Sequence, residues 1–265
     1  GTQGDTIHRN WQYLLAEMQR LGGGAVQPGY LSINQGEADR NMAPGAWLAQ
    51  AGEWMQDRFG VYQTTFGGYP RLAVFQAGHV ANTSGSAWAC KTDMLDLCEL
   101  YGGIFLAPMH QFRVGPDGVH ALWHDHFLAA DTGAWVLAEI EAGRDMPLLR
   151  PQAQRDGNVI TLRYDLRPDE QLRRLATKYP TPEPHWGYEV EGATVTDVQQ
   201  IGACVHRLTC TAPPTAVRYA LQQRNMTGQD WSGHRGEVAT TLTAPSMHFP
   251  GETLTREAPG WRIAL

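Results

Sequence analysis

The sequence lacks any long run of apolar residues and any excess of positive charge. No stretch approaches the roughly 20 consecutive apolar residues that a membrane helix requires, so no membrane span is predicted. The formal net charge is −6, and Lys and Arg do not cluster. Because phosphate binding depends on clustered Lys and Arg, nucleic acid is not an expected partner.

Cysteine is scarce, with four residues and no Cys-x-x-Cys spacing. Such a spacing would indicate a zinc site or a redox motif. Cys90 and Cys98 fall in a helical pattern, and Cys204 and Cys210 lie in or beside one predicted strand. We expect buried free thiols rather than disulfides, and we predict neither a metal nor an organic cofactor.

The first half of the chain alternates between two hydrophobic patterns. Apolar residues recur at three- and four-residue steps in segments that predict helices at 5–21, 44–59, 86–101 and 124–142. Short apolar runs between them predict buried strands at 30–33, 71–76 and 104–108. Such repeats predict an α/β fold with a mostly parallel sheet between helices, whose functional loops gather at the carboxyl ends of the strands.

The pattern changes after a segment at 146–151 that contains two prolines and predicts a linker between two domains, 1–146 and 147–265. Beyond it, apolar and polar residues alternate, and turn residues separate the runs. Strands are predicted at 157–166, 187–190, 193–198, 203–210, 216–221, 238–242 and 261–264. This arrangement predicts an antiparallel β-sandwich or jelly roll as an accessory domain.

Asp117 and His120 lie in the loop between the last parallel strand and the last helix of the first half. An Asp and a His three residues apart on a tight loop can form a hydrogen bond, and the carboxylate then fixes the imidazole tautomer for general-base catalysis. The surrounding Pro116-Asp117-Gly118 is also typical of an Asx turn that carries a surface histidine. The local sequence leaves both interpretations open.

A second polar loop, Gln35-Gly36-Glu37-Ala38-Asp39, follows the first predicted strand. The Gln35 amide and nearby backbone N–H groups could stabilise a developing oxyanion. In the alternative interpretation, Gly36 only forms a turn, and Glu37 and Asp39 begin a capping arrangement before the next helix. These residues by themselves do not decide between the two.

Other side chains are candidates for contact with a substrate or a metal. Gln76 ends the second strand and His110 follows the third, so both are expected near the same mouth. A metal cluster is an alternative, because histidines at i and i+4 on a helix can share a cation. Its members would be His120, His124, Asp125 and His126. The candidates for stacking on sugar rings are Trp88, Trp123, Trp186 and Trp231.

The order of these blocks resembles the sialate O-acetylesterase-like (SASA) branch of the SGNH hydrolase superfamily. The resemblance covers about 5–142 and is strongest in LSINQGEAD and PDGVHALWHDHF. It implies a three-layer parallel-sheet domain that acts on acetylated carbohydrate with a Ser-His-Asp triad. By the same resemblance, Asp117 and His120 are the acid and base, Gln35 and Gly36 belong to the oxyanion hole, and Glu37 and Asp39 support that loop.

The overall layout is also similar to polysaccharide deacetylases of bacteriophage tails. This similarity implies an acetylated oligosaccharide or polysaccharide of a surface or capsule as the substrate. It also implies an extracellular, secreted or virion-associated location.

Two blocks of the family pattern are missing. One is the Gly-x-Ser type sequence that carries the nucleophile after the first strand of the domain, and the other is the second block of the oxyanion hole. None of the serines at 32, 84, 86, 232 and 246 follows a predicted strand in that setting. We therefore expect an upstream portion of the same protein, on this chain or on a separate one, to supply the serine. Two other functions stay open, a non-catalytic carbohydrate-binding or tail adhesion module and a metal-dependent hydrolase.

Overall fold

A computed structural model of the chain describes residues 3–22, 29–78, 80, 87–179, 182–221 and 236–265. Trp231 and the serines at 84, 86 and 232 lie outside these residues. In the described part of the first half, helices alternate with strands as the periodicity predicts. The helices are α1 (Gln3–Leu21), α2 (Ala46–Phe66), α3 (Ala89–Leu100) and α4 (Trp123–Glu141), and the strands are β1 (Tyr30–Asn34), β2 (Arg71–Gln76) and β3 (Ile104–Pro108).

Helix α2 is longer than the sequence pattern predicts. It continues through Gly60 to Phe66 instead of ending at Phe59. The buried side chain of Tyr62 lies in this extension, so packing outweighs the low helix propensity of Gly60. The helix ends at Gly67, whose φ of 74° is left-handed and whose backbone N–H donates to the carbonyl of Gln63.

The three strands form one parallel sheet in the order β1-β2-β3. Their carboxyl ends are Asn34, Gln76 and Pro108, which therefore lie along the same edge. The predicted α/β architecture with a parallel sheet is confirmed at this level. The edge carries the loops in which the sequence places its candidate site residues.

Helices pack on both faces of this sheet because successive strand residues point to opposite sides. Leu72 and Val74 of β2 belong to an apolar cluster with Met55 of α2 and Met94 of α3. Ala73, between them, belongs to a cluster that contains Val136 of α4. Strands buried on both faces explain why these segments form short continuous apolar runs in the sequence.

The second half forms antiparallel sheets, which contain the seven predicted strands and three that the alternation did not predict. Their orders are β13-β10-β7, β12-β11-β6 and β4-β5-β9-β8. The predicted strands are β5 (Val159–Arg163), β7 (Tyr188–Glu191), β8 (Val195–Gly202), β9 (Val205–Cys210), β10 (Ala216–Tyr219), β11 (Val238–Pro245) and β13 (Trp261–Ala264). The additional strands are β4 (Gln152–Asp156), β6 (Leu172–Arg174) and β12 (Thr253–Glu257).

The three antiparallel sheets share one apolar core, which also reaches the first half of the chain. Ile160 of β5, Tyr219 of β10 and Val238 of β11 all belong to it, and each comes from a different sheet. Leu95 of α3 packs in the same cluster. The boundary near residue 146 is therefore crossed by apolar packing, since α3 precedes it and the sheets follow it.

A polar anchor also joins the two halves at α4. The buried carboxylate of Asp131 accepts hydrogen bonds from the Ser246 hydroxyl (2.5 Å) and from the backbone N–H groups of Met247 (2.9 Å) and His248 (3.1 Å). Its other oxygen contacts Nδ1 of His248 at 2.5 Å. The turn after β11 is thereby fixed on the helix.

All four cysteines are free thiols, as the sequence predicts. Burial raises the pKa of Cys90 and of Cys98 to about 12, so both stay protonated and unreactive at neutral pH. Within the described ranges, no helix has the length and apolar character needed to cross a membrane.

Candidate active site

The loop between β3 and α4 folds back on itself like a small hairpin. Val114 pairs with Ala121 as an antiparallel bridge, and the backbone N–H of Leu122 donates to the carbonyl of Arg113 at 3.0 Å. At the tip, Gly118 adopts a left-handed φ of 73°, which favours glycine. The backbone pairing presents the tip of the loop, with Asp117 and His120, beside the carboxyl ends of the parallel strands.

Asp117 forms an Asx turn and pairs with His120 at the same time. One carboxylate oxygen accepts the backbone N–H groups of Val119 and His120, both at 3.0 Å. The other lies 2.5 Å from Nδ1 of His120. The two interpretations of the local sequence are therefore compatible, because the turn itself brings the carboxylate to the imidazole. With Nδ1–H bonded to Asp117, Nε2 of neutral His120 is the unprotonated nitrogen and can accept a proton.

The pKa values of Asp117 and His120 are both shifted in the direction that favours a general base. The hydrogen bond from His120 is the main cause that lowers the pKa of Asp117 to about 2, with help from the two backbone N–H groups. The hydrogen bond and charge of Asp117 raise the pKa of His120 above its usual 6.5, and Glu37 adds to the increase. Asp117 is therefore ionised at neutral pH and stabilises the imidazolium that forms when His120 takes a proton.

The loop after β1 is held tightly against α3, and Gly36 makes this approach possible. Gly36 has a φ of 144°, and a Cβ atom at this position would lie 2.2 Å from the methyl carbon of Met94. Its carbonyl accepts hydrogen bonds from the backbone N–H of Asp39 and from the thiol of Cys90. Gly36 is buried, so it shapes the loop from below, and Gln35 beside it is exposed.

Glu37 connects this loop to the next strand end. Its carboxylate accepts the backbone N–H of Gly78, two residues after β2, at 2.8 Å. The guanidinium of Arg40 donates to the Glu37 carbonyl at 3.1 Å. These bonds fix the position of the loop relative to β2.

These loops enclose one cavity of about 270 Å³. It brings together Gln35 and Glu37 from the first loop and His120 from the second. The remaining lining residues are Asn34, Gly78, Met109, Phe112, Val114, Val119, Ala121 and His126. Among the described residues, none of those that line it carries a hydroxyl or thiol group.

The sequence pattern did not predict two polar residues that line this cavity as substrate contacts. Asn34 is the last residue of β1, and its position directly before Gln35 at a strand end was the available signal. His126 was considered only as a metal ligand, but it lines the cavity from the first turn of α4. Both side chains could contact a substrate next to His120.

Gln76 does not line the cavity, which corrects the expectation from its place at a strand end. It is fully buried, and its amide oxygen accepts the backbone N–H of Gly260 at 2.7 Å. Its amide nitrogen donates to the carbonyls of Gly260 (2.7 Å) and Lys91 (2.9 Å). Gln76 therefore joins the parallel sheet to the segment before β13, because a buried amide must satisfy its hydrogen bonds internally.

His110 is likewise fully buried, in a short 3₁₀ turn, Met109–Gln111, that follows β3. Met109, directly before it, lines the cavity, whereas His110 exposes no surface to a substrate. The expectation that His110 lies at the mouth is thus corrected. The tight turn after β3 directs its side chain into the protein.

The proposed metal ligands do not converge. The Arg113 guanidinium donates to Oδ2 of Asp125 from Nε (3.1 Å) and from Nη2 (2.9 Å), and the same Nη2 contacts Nδ1 of His124 at 3.2 Å. His120 and His126 line the cavity near Gln35, whereas His124 and Asp125 line a different one. Within the described part of the chain, no group of three His, Cys, Asp or Glu side chains is arranged to hold a metal ion. The metal-dependent alternative therefore has no ligand set here.

Comparisons with known proteins give a likeness of fold. No protein-family model matches the chain, and no curated protein matches it. Among solved structures, the crystal structure of XAC1771, a carbohydrate acetylesterase from Xanthomonas citri, is similar, with a TM-score of 0.55 and 14% sequence identity. The match covers 83% of this chain and 52% of that one, so this chain spans about half the length of the neighbour.

Proposed function

We propose that this chain contributes to a carbohydrate O-acetylesterase that uses a Ser-His-Asp mechanism. The observation that carries the proposal is the Asp117–His120 pair at 2.5 Å, which shares a cavity with Gln35 and Glu37 at the carboxyl ends of parallel strands. The likeness of fold to a carbohydrate acetylesterase supports this assignment. The finer form of the proposal is an SGNH-like three-layer domain followed by a β-sandwich.

In this proposal, an upstream segment of the same protein, on this chain or a separate one, provides the serine. Its hydroxyl attacks the carbonyl carbon of the acetyl ester while Nε2 of His120 takes the hydroxyl proton. Asp117 stabilises the resulting imidazolium, and the Gln35 amide donates a hydrogen bond to the oxyanion. When the tetrahedral intermediate collapses, the bond between the carbonyl carbon and the sugar oxygen breaks. His120 gives its proton to that oxygen, and the sugar leaves with a free hydroxyl group. Water, activated by His120, then releases acetate from the acetyl-serine.

The substrate in this proposal is an acetylated oligosaccharide or polysaccharide of a cell surface or capsule. The protein itself would be extracellular, either secreted or associated with a virion. The cavity of about 270 Å³ is large enough for an acetyl group and part of one sugar ring. Among the described residues that line it, one Glu and two histidines give it no strong preference for a highly charged ligand. A neutral acetylated sugar therefore fits the site better than a polyanion.

The test is acetate release by the protein that includes the segment with the serine, measured on acetylated glycans and on 4-nitrophenyl acetate. We expect His120→Ala to lower kcat by at least about 10³-fold, because the base is lost. His248→Ala is the matched control, since His248 also pairs with an Asp through Nδ1, and it should keep its rate on the chromogenic ester.

Three results would contradict the proposal. If His120→Ala kept the turnover rate of the parent protein, the assignment of His120 to a catalytic triad would be wrong. Activity that EDTA abolishes and zinc restores would favour a metal-dependent hydrolase. A protein that binds acetylated glycans but releases no acetate from any ester would instead be a carbohydrate-binding or tail adhesion module.

A further inference from the structure

Exposed aromatic rings stand next to the candidate active site. Trp123 and Phe127, one turn apart at the start of α4, are 70% and 45% exposed. Phe249, from the turn after β11, lies 6.2 Å from each of them between ring centroids. We call these three residues the aromatic platform. Of the other tryptophans considered for sugar stacking, Trp88 is fully buried, and Trp186 is partly buried and packs edge-on against His206.

The aromatic platform is fixed in place by the anchor at Asp131. The Ser246 hydroxyl, which donates to Asp131, also accepts the backbone N–H of Phe249 at 3.0 Å. Phe249 is therefore held by the same bonds that fix the turn to α4, while Trp123 and Phe127 stand on the helix itself. Because the backbone of Phe249 is already held, ordering this residue costs little conformational entropy when a ligand binds.

A second cavity, of about 430 Å³, begins directly behind the platform and lies between α4 and the antiparallel sheets. We call it the junction cavity. His124 connects the two, because its ring lies 4.0 Å from that of Phe249 and also lines the junction cavity. Phe112 lines both the junction cavity and the cavity of His120, so the two cavities share a wall.

Among the described residues, five charged side chains line the junction cavity; four of them neutralise one another in pairs, and the fifth, Glu252, lies 3.4 Å from Nε2 of His124. Arg113 pairs with Asp125 at 2.9 Å, and Lys178 pairs with Glu257 at 2.5 Å. Burial lowers the pKa of Lys178 and raises the pKa of Glu257, and the attraction within the pair opposes both shifts. Such a lining offers many hydrogen bonds and, because Glu252 is its one unmatched charge, does not favour an anion.

The junction cavity also contains both unused donor and unused acceptor capacity. Gln111 and Glu257 line it and are each 7% exposed. Within the described part of the chain, Nε2 of Gln111 and one carboxylate oxygen of Glu257 have no hydrogen-bond partner. Both residues also border an adjoining void of about 20 Å³, which has room for one water. A hydroxyl group, or a water that bridges to one, can satisfy a donor and an acceptor together.

We propose that the aromatic platform and the junction cavity form an accessory binding site for an uncharged sugar chain. The aromatic rings would stack on the apolar faces of pyranose rings, and the neutralised polar lining would bind their hydroxyl groups. This inference rests on the proposed function, because it takes the glycan that carries the acetyl ester as the ligand. His120 precedes Trp123 by three residues, so a bound chain would be held beside the catalytic cavity.

Calorimetric titration with neutral hexasaccharides tests the proposal, using the xylo-, manno- and gluco-series with hexagalacturonate as the charged comparison. We expect at least one neutral hexasaccharide to bind and the charged one to bind more weakly. Trp123→Ala and Phe127→Ala should each raise Kd about 5- to 10-fold, which corresponds to the loss of one stacking contact. Gln111→Leu, similar in size, should also raise Kd, because it removes the buried donor.

Two control variants test whether a loss of binding is specific to this site. Tyr69→Ala removes another exposed aromatic ring and should leave Kd unchanged. Tyr13→Ala removes a further exposed aromatic ring, on α1, and should also leave Kd unchanged. Variants that keep their unfolding temperature exclude a general loss of structure.

The inference is overturned if none of the neutral hexasaccharides binds, or if Trp123→Ala binds as well as the parent protein. It is also overturned if the platform holds a second copy of the chain, so that Trp123→Ala dissociates a dimer in sedimentation without glycan. Hydrolysis of 4-nitrophenyl acetate needs no glycan chain. If the parent protein hydrolyses this ester but binds none of the hexasaccharides, only the accessory site is rejected. If it binds a hexasaccharide but hydrolyses no ester, the proposed esterase is rejected.

Discussion

Two Asp–His pairs in this protein have nearly the same local geometry and different surroundings. In each, a carboxylate oxygen lies 2.5 Å from Nδ1 of the histidine, and the carboxylate accepts two backbone N–H groups. Asp117 and His120 are three residues apart on a loop tip, with side chains 51% and 76% exposed. Asp131 and His248 are 117 residues apart, and the Asp131 side chain is 1% exposed.

The second pair even has a serine beside it, yet its hydrogen bonds are in the wrong order for a triad. The Ser246 hydroxyl donates to Asp131 and not to His248, so its proton has no path to the imidazole. The pair instead holds a turn on α4. The comparison shows that residue types and distances do not identify a catalytic group unless the histidine can reach the reacting atom.

The largest expected difference between the pairs is in the rate of ester hydrolysis. Asp117→Asn should lower kcat by about 10³- to 10⁴-fold, because an amide can no longer hold the catalytic tautomer or stabilise the imidazolium. Asp131→Asn should keep kcat on 4-nitrophenyl acetate at a temperature where it is folded. Equal losses of rate in both variants would mean that Asp117 has no special role in catalysis.

The second difference is in stability. Asp131→Ala should lower the free energy of unfolding by about 2–4 kcal/mol, because four hydrogen bonds to a buried carboxylate are lost, and urea unfolding measures the loss. Burial would raise the pKa of Asp131, but its hydrogen bonds to Ser246 and His248 lower it overall. Its stabilisation is thus fully present above the unfolded-state pKa of about 3.9 and is lost as the pH falls through the lower folded-state value.

Asp131→Asn should therefore flatten the loss of stability below about pH 4, the region that this linkage affects. In the exposed pair, Asp117→Ala should leave the urea midpoint near that of the parent protein. A larger decrease of the urea midpoint in Asp117→Ala than in Asp131→Ala would contradict the prediction that the buried pair stabilises the fold more than the exposed pair.

The smallest expected effect concerns the pH dependence of His120. Hydrolysis should rise with pH through a midpoint above 6.5, because the pKa of His120 is raised and only the neutral form can accept a proton. Glu37→Gln should lower that midpoint only slightly, since salt and solvent screen the charge of Glu37. The ring proton signals of His120 in an NMR titration give the midpoint directly.

Glu53→Gln on α2 is the matched control for this titration and should not move the midpoint. Its side chain is exposed on a helix and does not line the cavity of His120. An upward shift of the midpoint in Glu37→Gln would contradict the assignment of Glu37 as a source of the raised pKa.

Much of the fold could be predicted from the sequence because the relevant signals are local. The bounds of β2, β3 and β13 agree with the apolar runs, and the helices agree apart from their ends. The three unpredicted strands lack a clear alternation. β4 is mostly exposed, β6 has three residues, and β12 contains the buried charges Arg256 and Glu257. Charged residues in a sequence indicate surface, and only tertiary pairing can place them inside.

The features of the candidate site also form two groups, those that local sequence predicts and those that depend on tertiary contacts. The sequence by itself determined the Asp117–His120 pair, because a turn of four residues brings the two side chains together, and it determined which polar loops follow the parallel strands. Only the tertiary structure decided that Gln76 bonds to Gly260, 184 residues away, that His110 is buried, and that Asp131 holds the turn at Ser246. Contacts between distant segments depend on packing across the whole molecule, and local periodicity carries no information about them.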